Sequence, residues 1–173
     1  MLKMFSTQLA GLFKRIQEKQ EFSFEDGGRL LAQAPAGDGF IYIFGSKEMQ
    51  AVTYEALEGS EKLSYFQRYK DGVLEPEDRV LIFSRFSYDE DAVSLGLDLK
   101  EKGISFVAVS TAVSDPDSSD LTETADVHID LGLKKGLLPD EEGNRFCFPS
   151  SMAALFAFYG LKFTIEEILA EYE

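Results

Sequence analysis

Hydroxyl and cationic side chains follow two apolar runs of this chain. The run Phe40–Phe44 leads into a Gly-Ser-Lys turn, and the run Val80–Phe83 leads into Ser-Arg-Phe-Ser. In an open parallel sheet, ligands bind beyond the carboxyl ends of the strands, where turn amides and helix N-termini hold anions. The sequence therefore predicts an anion site where the two runs end. Its candidate residues are Gly45, Ser46, Lys47, Ser84, Arg85 and Ser87.

These residues also have structural interpretations. Ser87 and Glu90 have the spacing of a capping box, which would by itself account for Ser87. Ser84 is also consistent with an ordinary turn residue, and Lys47 and Arg85 with solvated surface charges. Acidic residues in the first turns of the following helices would repel a phosphate there. They are Glu48, Asp89, Glu90 and Asp91.

The elements predicted to position the two turns alternate between strands and helices. Between the second and third predicted strands, residues 89–102 have acids in the first turn, lysines in the last and Gly103 just beyond, as a helix favours. Such alternation implies right-handed crossovers and a three-layer α/β/α sandwich with a mainly parallel sheet. Four apolar runs have the character of strands covered on both faces. They are Phe40–Phe44, Arg79–Phe83, Ile104–Ser110 and Val127–Leu131.

Helices are predicted at both ends of the chain. An apolar stripe from Leu2 to Ile16 predicts a leading helix, and a second helix is predicted over Gly28–Ala34, before a turn at Pro35–Gly39. Pro149 opens a very apolar helix that Gly160 is predicted to end. Two smaller elements complete the prediction: a short strand at Arg145–Phe148 and a closing helix capped by Thr164 and Glu167.

We expect one domain over residues 1–173, with leading helices (1–38), an α/β core (39–148) and C-terminal helices (149–173). The leading helix and the helix Pro149–Tyr159 are both strongly apolar. Exposing either would leave a large apolar patch. The sequence therefore predicts a homodimer that buries these two helices.

Charge and composition exclude several classes of function. The 173 residues include 17 basic and 31 acidic side chains, a net charge of −14, so nucleic acid and anionic membranes would be repelled and are not expected as partners. Cys147 and His128 are the sole cysteine and histidine, which excludes an internal disulfide and a histidine-rich metal site. Asp115, Asp117 and Asp120 share one loop but lack an EF-hand pattern, so we expect them to be solvated. We predict no metal, no cofactor and a cytoplasmic location.

The order of the elements and the content of the turns resemble the sugar isomerase (SIS) domain. That family runs helix, helix, strand, a Gly-x-Gly-x-Ser-like loop, helix, and then a strand entering a Ser-x-Ser-Gly-x-Ser/Thr-like loop. Ile41–Met49 and Pro76–Ser87 are similar to these two strand-loop segments. Asp98–Thr111 is similar to the next helix, its Lys-x-Gly turn and the third strand, and Thr124–Ile129 to the Ala-Asp segment that begins the fourth. The resemblance spans most of the chain.

The resemblance implies a phosphosugar site, because SIS loops hold the phosphate of a phosphosugar with hydroxyls and amides. Gly45 and Ser84 align with the family's first glycine and first serine. Other loop positions depart from the pattern, and the cations at 47 and 85 are candidates to substitute for the missing hydroxyls. The departures are Lys47 for the second glycine, Met49 for the loop serine, and Phe86 and Ser87 for the Ser-Gly of the second loop.

Within the family, the chain is nearest to the phosphoheptose isomerases. Their reaction moves a proton between adjacent carbons and needs a positioned base. Glu55 falls near that subfamily's metal-binding histidine and Glu58 near its glutamate, so both are candidate catalytic residues. The subfamily's histidine on the C-terminal helix has no counterpart in Pro149–Tyr159.

The sequence thus leads to one hypothesis and two alternatives. The hypothesis is an SIS-type protein that binds a phosphorylated sugar or a related anion, is weakly or non-catalytic, and is suited to sensing a metabolite. The first alternative is a sugar-phosphate aldose–ketose isomerase. The second is an interaction protein with a vestigial pocket.

Overall fold

The structure, a computed structural model, describes residues 1–113 and 117–172. It contains a five-stranded sheet in the order β2-β1-β3-β4-β5, and every pairing in it is parallel. The predicted sandwich with a parallel sheet is confirmed. The five strands are β1 (Ile41–Gly45), β2 (Phe66–Arg68), β3 (Arg79–Phe86), β4 (Phe106–Thr111) and β5 (Val127–Asp130).

Six helices and a small hairpin surround this sheet. The hairpin pairs β6 (Leu138–Pro139) with β7 (Arg145–Phe146) in antiparallel fashion, apart from the main sheet. A 3₁₀ turn at Lys47–Met49 follows β1. The helices are α1 (Leu2–Lys19), α2 (Glu21–Ala36), α3 (Gln50–Glu58), α4 (Glu90–Lys102), α5 (Leu121–Thr124) and α6 (Ser150–Ala170).

Alternate residues of the central strands face two separate apolar cores. Leu81 and Phe83 of β3 lie in the core shared with α1, α2, α3 and α6, whereas Val80 and Ile82 lie in the core shared with α4 and α5. Side chains of a strand alternate between its two faces, so β3 is covered on both sides. This explains its uninterrupted run of apolar residues.

Several boundaries differ from the prediction. The strand β3 continues to Phe86, with a register irregularity between Phe83 and Phe86 against β4. The helix α2 is longer than predicted and contains Pro35, so the expected turn starts too early. The strand β2 was not predicted, and the predicted strand Arg145–Phe148 shortens to the hairpin strand β7.

The predicted break at Gly160 is wrong, since α6 runs without interruption through it. A Cβ atom at Gly160 would lie 2.8 Å from the ring of Phe24, and one at Gly28 would lie 2.4 Å from the Thr164 side chain. These glycines allow α2 and α6 to pack closely. The Thr164 hydroxyl donates to the carbonyl of Gly160 at 2.9 Å, so the predicted capping box of a separate helix is also absent.

No helix in the described part of the chain combines the length and the apolar character needed to span a bilayer.

Candidate functional site

The turn after β1 has a backbone that requires specific conformations. A Cβ atom at Gly45 would lie 2.4 Å from the carbonyl oxygen of Met49, so a glycine is needed there. Lys47 has a φ of 51°, in the left-handed region that favours glycine. The sequence motif has a glycine at this position, and the structure supplies the reason. The cost of a lysine in this conformation is of the order of 1 kcal/mol.

The sheet register brings the two predicted turns together. Gly45 pairs with Phe83, and the amide of Ser46 donates to the carbonyl of Phe83 at 2.9 Å. The turn after β1 therefore lies directly beside the irregular end of β3. We call the two segments, 45–48 and 84–91, the strand-end site.

At the end of β3, a carboxylate occupies the backbone donors. One oxygen of Asp89 accepts hydrogen bonds from the amides of Arg85 at 3.1 Å and Phe86 at 3.3 Å. The Ser84 hydroxyl, fully buried, donates to the carbonyl of Phe86 at 2.8 Å. In the loop motif that the sequence resembles, the final hydroxyl position falls on Asp89. A carboxylate of the chain thus takes the amides that would otherwise be open to an anion.

Arg85 and Glu48 join the two turns. The Arg85 guanidinium donates to both carboxylate oxygens of Glu48, at 2.7 and 2.9 Å. This bidentate geometry is the one in which arginine also binds phosphate. The hydrogen bond from Arg85 lowers the pKa of Glu48. The two side chains are 40% and 33% exposed, so water reaches the pair.

Ser46 lies against another acid. Its hydroxyl oxygen lies 2.8 Å from each carboxylate oxygen of Asp91, in the first turn of α4. The Ser46 side chain is buried, whereas Lys47 is exposed and forms no hydrogen bond or ion pair within the described residues. Of the predicted cations, Lys47 is therefore the one whose charge no described carboxylate neutralises by contact.

Ser87 does not cap α4. Its hydroxyl donates to Asp120 at 2.7 Å and accepts from the amide of Val113 at 3.0 Å, so the capping-box interpretation is wrong. Asp120 is buried and also accepts from the amide and hydroxyl of Thr122. Burial works to raise the pKa of Asp120, but the hydrogen bonds from Thr122 and Ser87 lower it overall. The prediction that Asp120 is solvated is wrong; Asp115 lies outside the described residues.

The strand-end site is thus largely self-occupied. Asp91 contacts the Ser46 hydroxyl, Glu48 the Arg85 guanidinium, and Asp89 the two amides after Ser84. The sequence identified these acids as repulsive to phosphate but did not identify their partners. The contacts of Asp91 and Glu48 join residues far apart in the chain, which only the sheet register brings together.

The candidate catalytic glutamates lie elsewhere. Glu55 is seven residues beyond Glu48, about 10 Å along the helical segment, and accepts a hydrogen bond from the Tyr159 hydroxyl at 2.6 Å. This bond raises the pKa of Tyr159. Glu58 is exposed at the end of α3. Among the described residues, no hydrogen bond or ion pair connects either glutamate to Ser46, Ser84 or Arg85.

His128 is a structural residue of β5. Its Nε2 lies 2.8 Å from the Ser110 hydroxyl oxygen. Burial lowers the pKa of His128, although Asp130 and Asp120 act in the opposite direction. Within residues 1–113 and 117–172 no cluster of three or more histidine, cysteine or acidic residues has the arrangement of a metal site.

The fold is that of the SIS domain, as solved structures with low sequence identity show. Escherichia coli CFT073 c3406, solved in complex with arabinose 5-phosphate, has a TM-score of 0.71 and 14% identity, with 98% of this chain and 89% of that one covered. A putative sugar-phosphate isomerase of Listeria monocytogenes has a TM-score of 0.67 and 19% identity, covering 96% and 90%. The Vibrio vulnificus NanR protein, complexed with ManNAc-6P, has a TM-score of 0.62 and 16% identity, covering 96% and 63%.

Within that fold, sequence places the chain in a narrower group. Residues 1–169 match the family described as a domain of unknown function, DUF2529, and the chain belongs to that family. It is also 44% identical over 174 residues to the uncharacterized protein YwjG of Bacillus subtilis (strain 168), with 99% of each chain covered.

Proposed function

We propose that the protein binds a phosphosugar at the strand-end site without converting it, and that the phosphate of the ligand takes the place of Glu48 on Arg85. The observation that carries the proposal is the bidentate, half-exposed pair of Arg85 with Glu48, which joins the turns after β1 and β3. Two proteins of the same fold are complexed with arabinose 5-phosphate and ManNAc-6P, which supports a phosphorylated sugar as the class of ligand.

An exchange of partners at Arg85 is energetically accessible. An ion pair exposed to this degree contributes at most about 1 kcal/mol to stability. A phosphate offers the same two-oxygen geometry as Glu48 with more negative charge. Lys47, exposed and without an ion-pair partner among the described residues, supplies a second cation beside the same turn. The carboxylates of Asp89 and Asp91 oppose the incoming charge, so the proposed binding is weak in the wild type.

The absence of conversion follows from the position of the glutamates. An aldose–ketose isomerisation needs a base within hydrogen-bond reach of the sugar carbons. Glu55 is bonded to Tyr159 on α6, and Glu58 is exposed at the end of α3, so neither contacts the strand-end site in the described structure. Glu48, the acid paired with the Arg85 side chain, is held as a carboxylate by that arginine, which lowers its pKa and makes it a weak base.

The test is calorimetric titration of arabinose 5-phosphate, ManNAc-6P and inorganic phosphate into the wild type and three variants. Arg85→Gln should weaken binding by about tenfold or more, because it removes a charge-assisted pair of hydrogen bonds. Glu48→Gln should tighten binding by roughly threefold to tenfold, because it removes the competing carboxylate. Lys100→Gln, an equal change of charge on the exposed end of α4, is the control and should change little. Equal affinities in Glu48→Gln and the wild type would reject the exchange.

The isomerase alternative is tested by turnover. We expect no appreciable conversion of sedoheptulose 7-phosphate or related ketose phosphates, and no exchange of the proton at the second carbon of the sugar. The variant Glu55→Gln/Glu58→Gln is the comparison, since it keeps the size of both side chains. Robust wild-type turnover that this variant loses would make the protein an isomerase with a relocated base.

We also propose that the protein is a homodimer through α1 and α6. Leu2 and Met4 of α1 are 78% and 45% exposed, and Met152 and Phe163 of α6 are 41% and 55% exposed. Burial of such side chains against a second copy would remove apolar surface from water. Light scattering at micromolar concentration checks the proposal, and a monodisperse monomer would reject it.

A further inference from the structure

The chain contains a second concentration of cations, away from the strand-end site. The loop that follows β5, residues 132–137, packs against α1 and encloses a cleft of about 470 Å³. Arg15 of α1, Lys134 and Lys135 of the loop, and Arg145 of β7 line this cleft, and among the described residues no acidic side chain lines it. We call these lining residues the loop cleft. In a chain with 31 acidic and 17 basic residues, such a local reversal of charge is informative.

The cations of the loop cleft are not neutralised by the chain itself. Across the described residues, Arg15, Lys134, Lys135 and Arg145 form no ion pair with a carboxylate. Asp130, adjacent to the loop in sequence, accepts from the amides of Ala112 and Gly132 instead.

Backbone donors are also left unused there. In the part of the chain that the structure describes, the amides of Lys134, Lys135 and Gly136 donate no hydrogen bond, whereas those of Leu133 and Leu137 on either side donate to Thr111 and Cys147. A run of free amides beside cations is suited to phosphate oxygens.

The shape of the loop is fixed before any ligand arrives. Gly132 has a φ of 64°, which favours glycine, and a Cβ atom at Gly136 would overlap the backbone of Phe146 at 2.2 Å. The Arg145 guanidinium donates to the carbonyls of Gly136 and Leu137 at 3.0 and 2.9 Å. Arg145 therefore holds the loop in place, and its charge is added to the cleft without being cancelled. A preorganised site loses little entropy on binding.

We propose that the loop cleft binds a small multivalent phosphate anion, one that carries at least two phosphate groups. The volume is within the range of small-molecule sites, which is roughly 300 to 1,000 Å³. Several cations around one concave surface favour a ligand whose charges are spread over more than one phosphate. The site is separate from the strand-end site, so it does not depend on the function proposed above.

The experiment uses inorganic pyrophosphate, titrated calorimetrically into the full chain at low ionic strength. We expect binding to the wild type, weakened by about tenfold or more in Lys134→Gln/Lys135→Gln and in Arg15→Gln. The control Lys3→Gln/Lys100→Gln makes the same change in net charge as the double lysine variant, at exposed sites outside the cleft, and should bind like the wild type. Arg85→Gln should also bind pyrophosphate normally, which separates this proposal from the strand-end site.

Three results would overturn the proposal. Equal loss of binding in the control pair would mean that net charge alone attracts the anion. Loss confined to Arg85→Gln would place the anion at the strand-end site. Citrate binding as tightly as pyrophosphate would reject phosphate as the class of ligand. The side chains changed in the loop cleft and in the control pair are exposed, so these variants should fold, and circular dichroism checks this.

Discussion

The strand-end site and the loop cleft each gather hydrogen-bond donors and cations on the same edge of the sheet, but only one of them supplies its own anions. In the strand-end site, the donors of Ser46, Arg85 and Ser87 meet Asp91, Glu48 and Asp120. In the loop cleft, the described cations meet no carboxylate. A net charge of −14 describes neither region, because the acids are concentrated where the donors of one site lie and are missing from the other.

The difference has opposite consequences for stability and for binding. A satisfied network of buried polar groups stabilises the fold and disfavours a ligand that would compete with it. Unpaired cations add nothing to stability but are available to a ligand. We therefore expect changes in the strand-end site to affect unfolding strongly, and changes in the loop cleft to affect binding instead.

The largest effect is expected at Asp120. Asp120→Ala removes the acceptor for the Ser87 hydroxyl and for the amide of Thr122 at the start of α5. Loss of a helix cap and of a buried acceptor should lower the free energy of unfolding by roughly 2 to 3 kcal/mol. Urea-induced unfolding at pH 7.5 measures it.

A matched control for Asp120 is available on α4. Asp98 forms an exposed pair with Lys102 at 2.7 Å. Asp98→Ala should therefore lower the free energy of unfolding by no more than about 0.5 kcal/mol. If the two alanine variants lost similar stability, the network around Ser87 would not be a stabilising one, and the contrast between the two regions would fail.

A smaller effect is expected at Asp89. Asp89→Ser removes the carboxylate that accepts from the amides of Arg85 and Phe86, and should lower the free energy of unfolding by about 1 to 2 kcal/mol. The same change opens those amides to an external anion. Inorganic phosphate at about 10 mM should therefore raise the melting temperature of Asp89→Ser more than that of the wild type.

The control for Asp89→Ser is sulfate against chloride at equal ionic strength. A tetrahedral anion should reproduce the rescue, and chloride should not. A variant that phosphate stabilises no more than the wild type would mean that Asp89 does not stand in for a bound anion.

The sequence predicted the fold well where burial sets the pattern. The runs that became β1, β3, β4 and β5 are apolar because both faces of those strands are covered, and this signal is local. The strand β2 was missed because Phe66–Arg68 is three residues long and pairs only at the sheet edge. The break at Gly160 was wrong because that glycine serves the close approach of Phe24, a contact that no local pattern reveals.

The site was predicted in position but not in its internal contacts. Turn chemistry placed Ser46, Ser84 and Arg85 at adjacent strand ends, and the register confirms that the turns adjoin. The partners of two donors lie far along the chain: Ser46 and Asp91 are 45 residues apart, and Arg85 and Glu48 are 37 apart. Acids that the sequence indicated as repulsive are bound partners in the structure. The assignment of these residues to a ligand site stays a prediction.

The smallest effect is expected at His128, which lies beside the strand-end network. Burial lowers the pKa of His128 in the folded state, so the unfolded chain binds more protons at mildly acidic pH. Stability should therefore fall as the pH drops through about 6.5, the ordinary value for histidine, and keep falling until the folded-state pKa is reached. Between pH 7.5 and 5.5 this contribution is at most about 1.4 kcal/mol.

His128→Gln isolates this contribution, because glutamine does not titrate and keeps a polar group near the Ser110 hydroxyl. The measurement is the free energy of unfolding in urea at the two pH values for both proteins. The wild type should lose more stability on acidification than the variant does. Glu48 and Asp120 do not confuse the result, because their pKa values are lowered from about 4 and their contribution is lost only in more acidic solution. Equal losses in the two proteins would show that His128 does not carry the slope, and that the acids of the strand-end site respond to pH by another route.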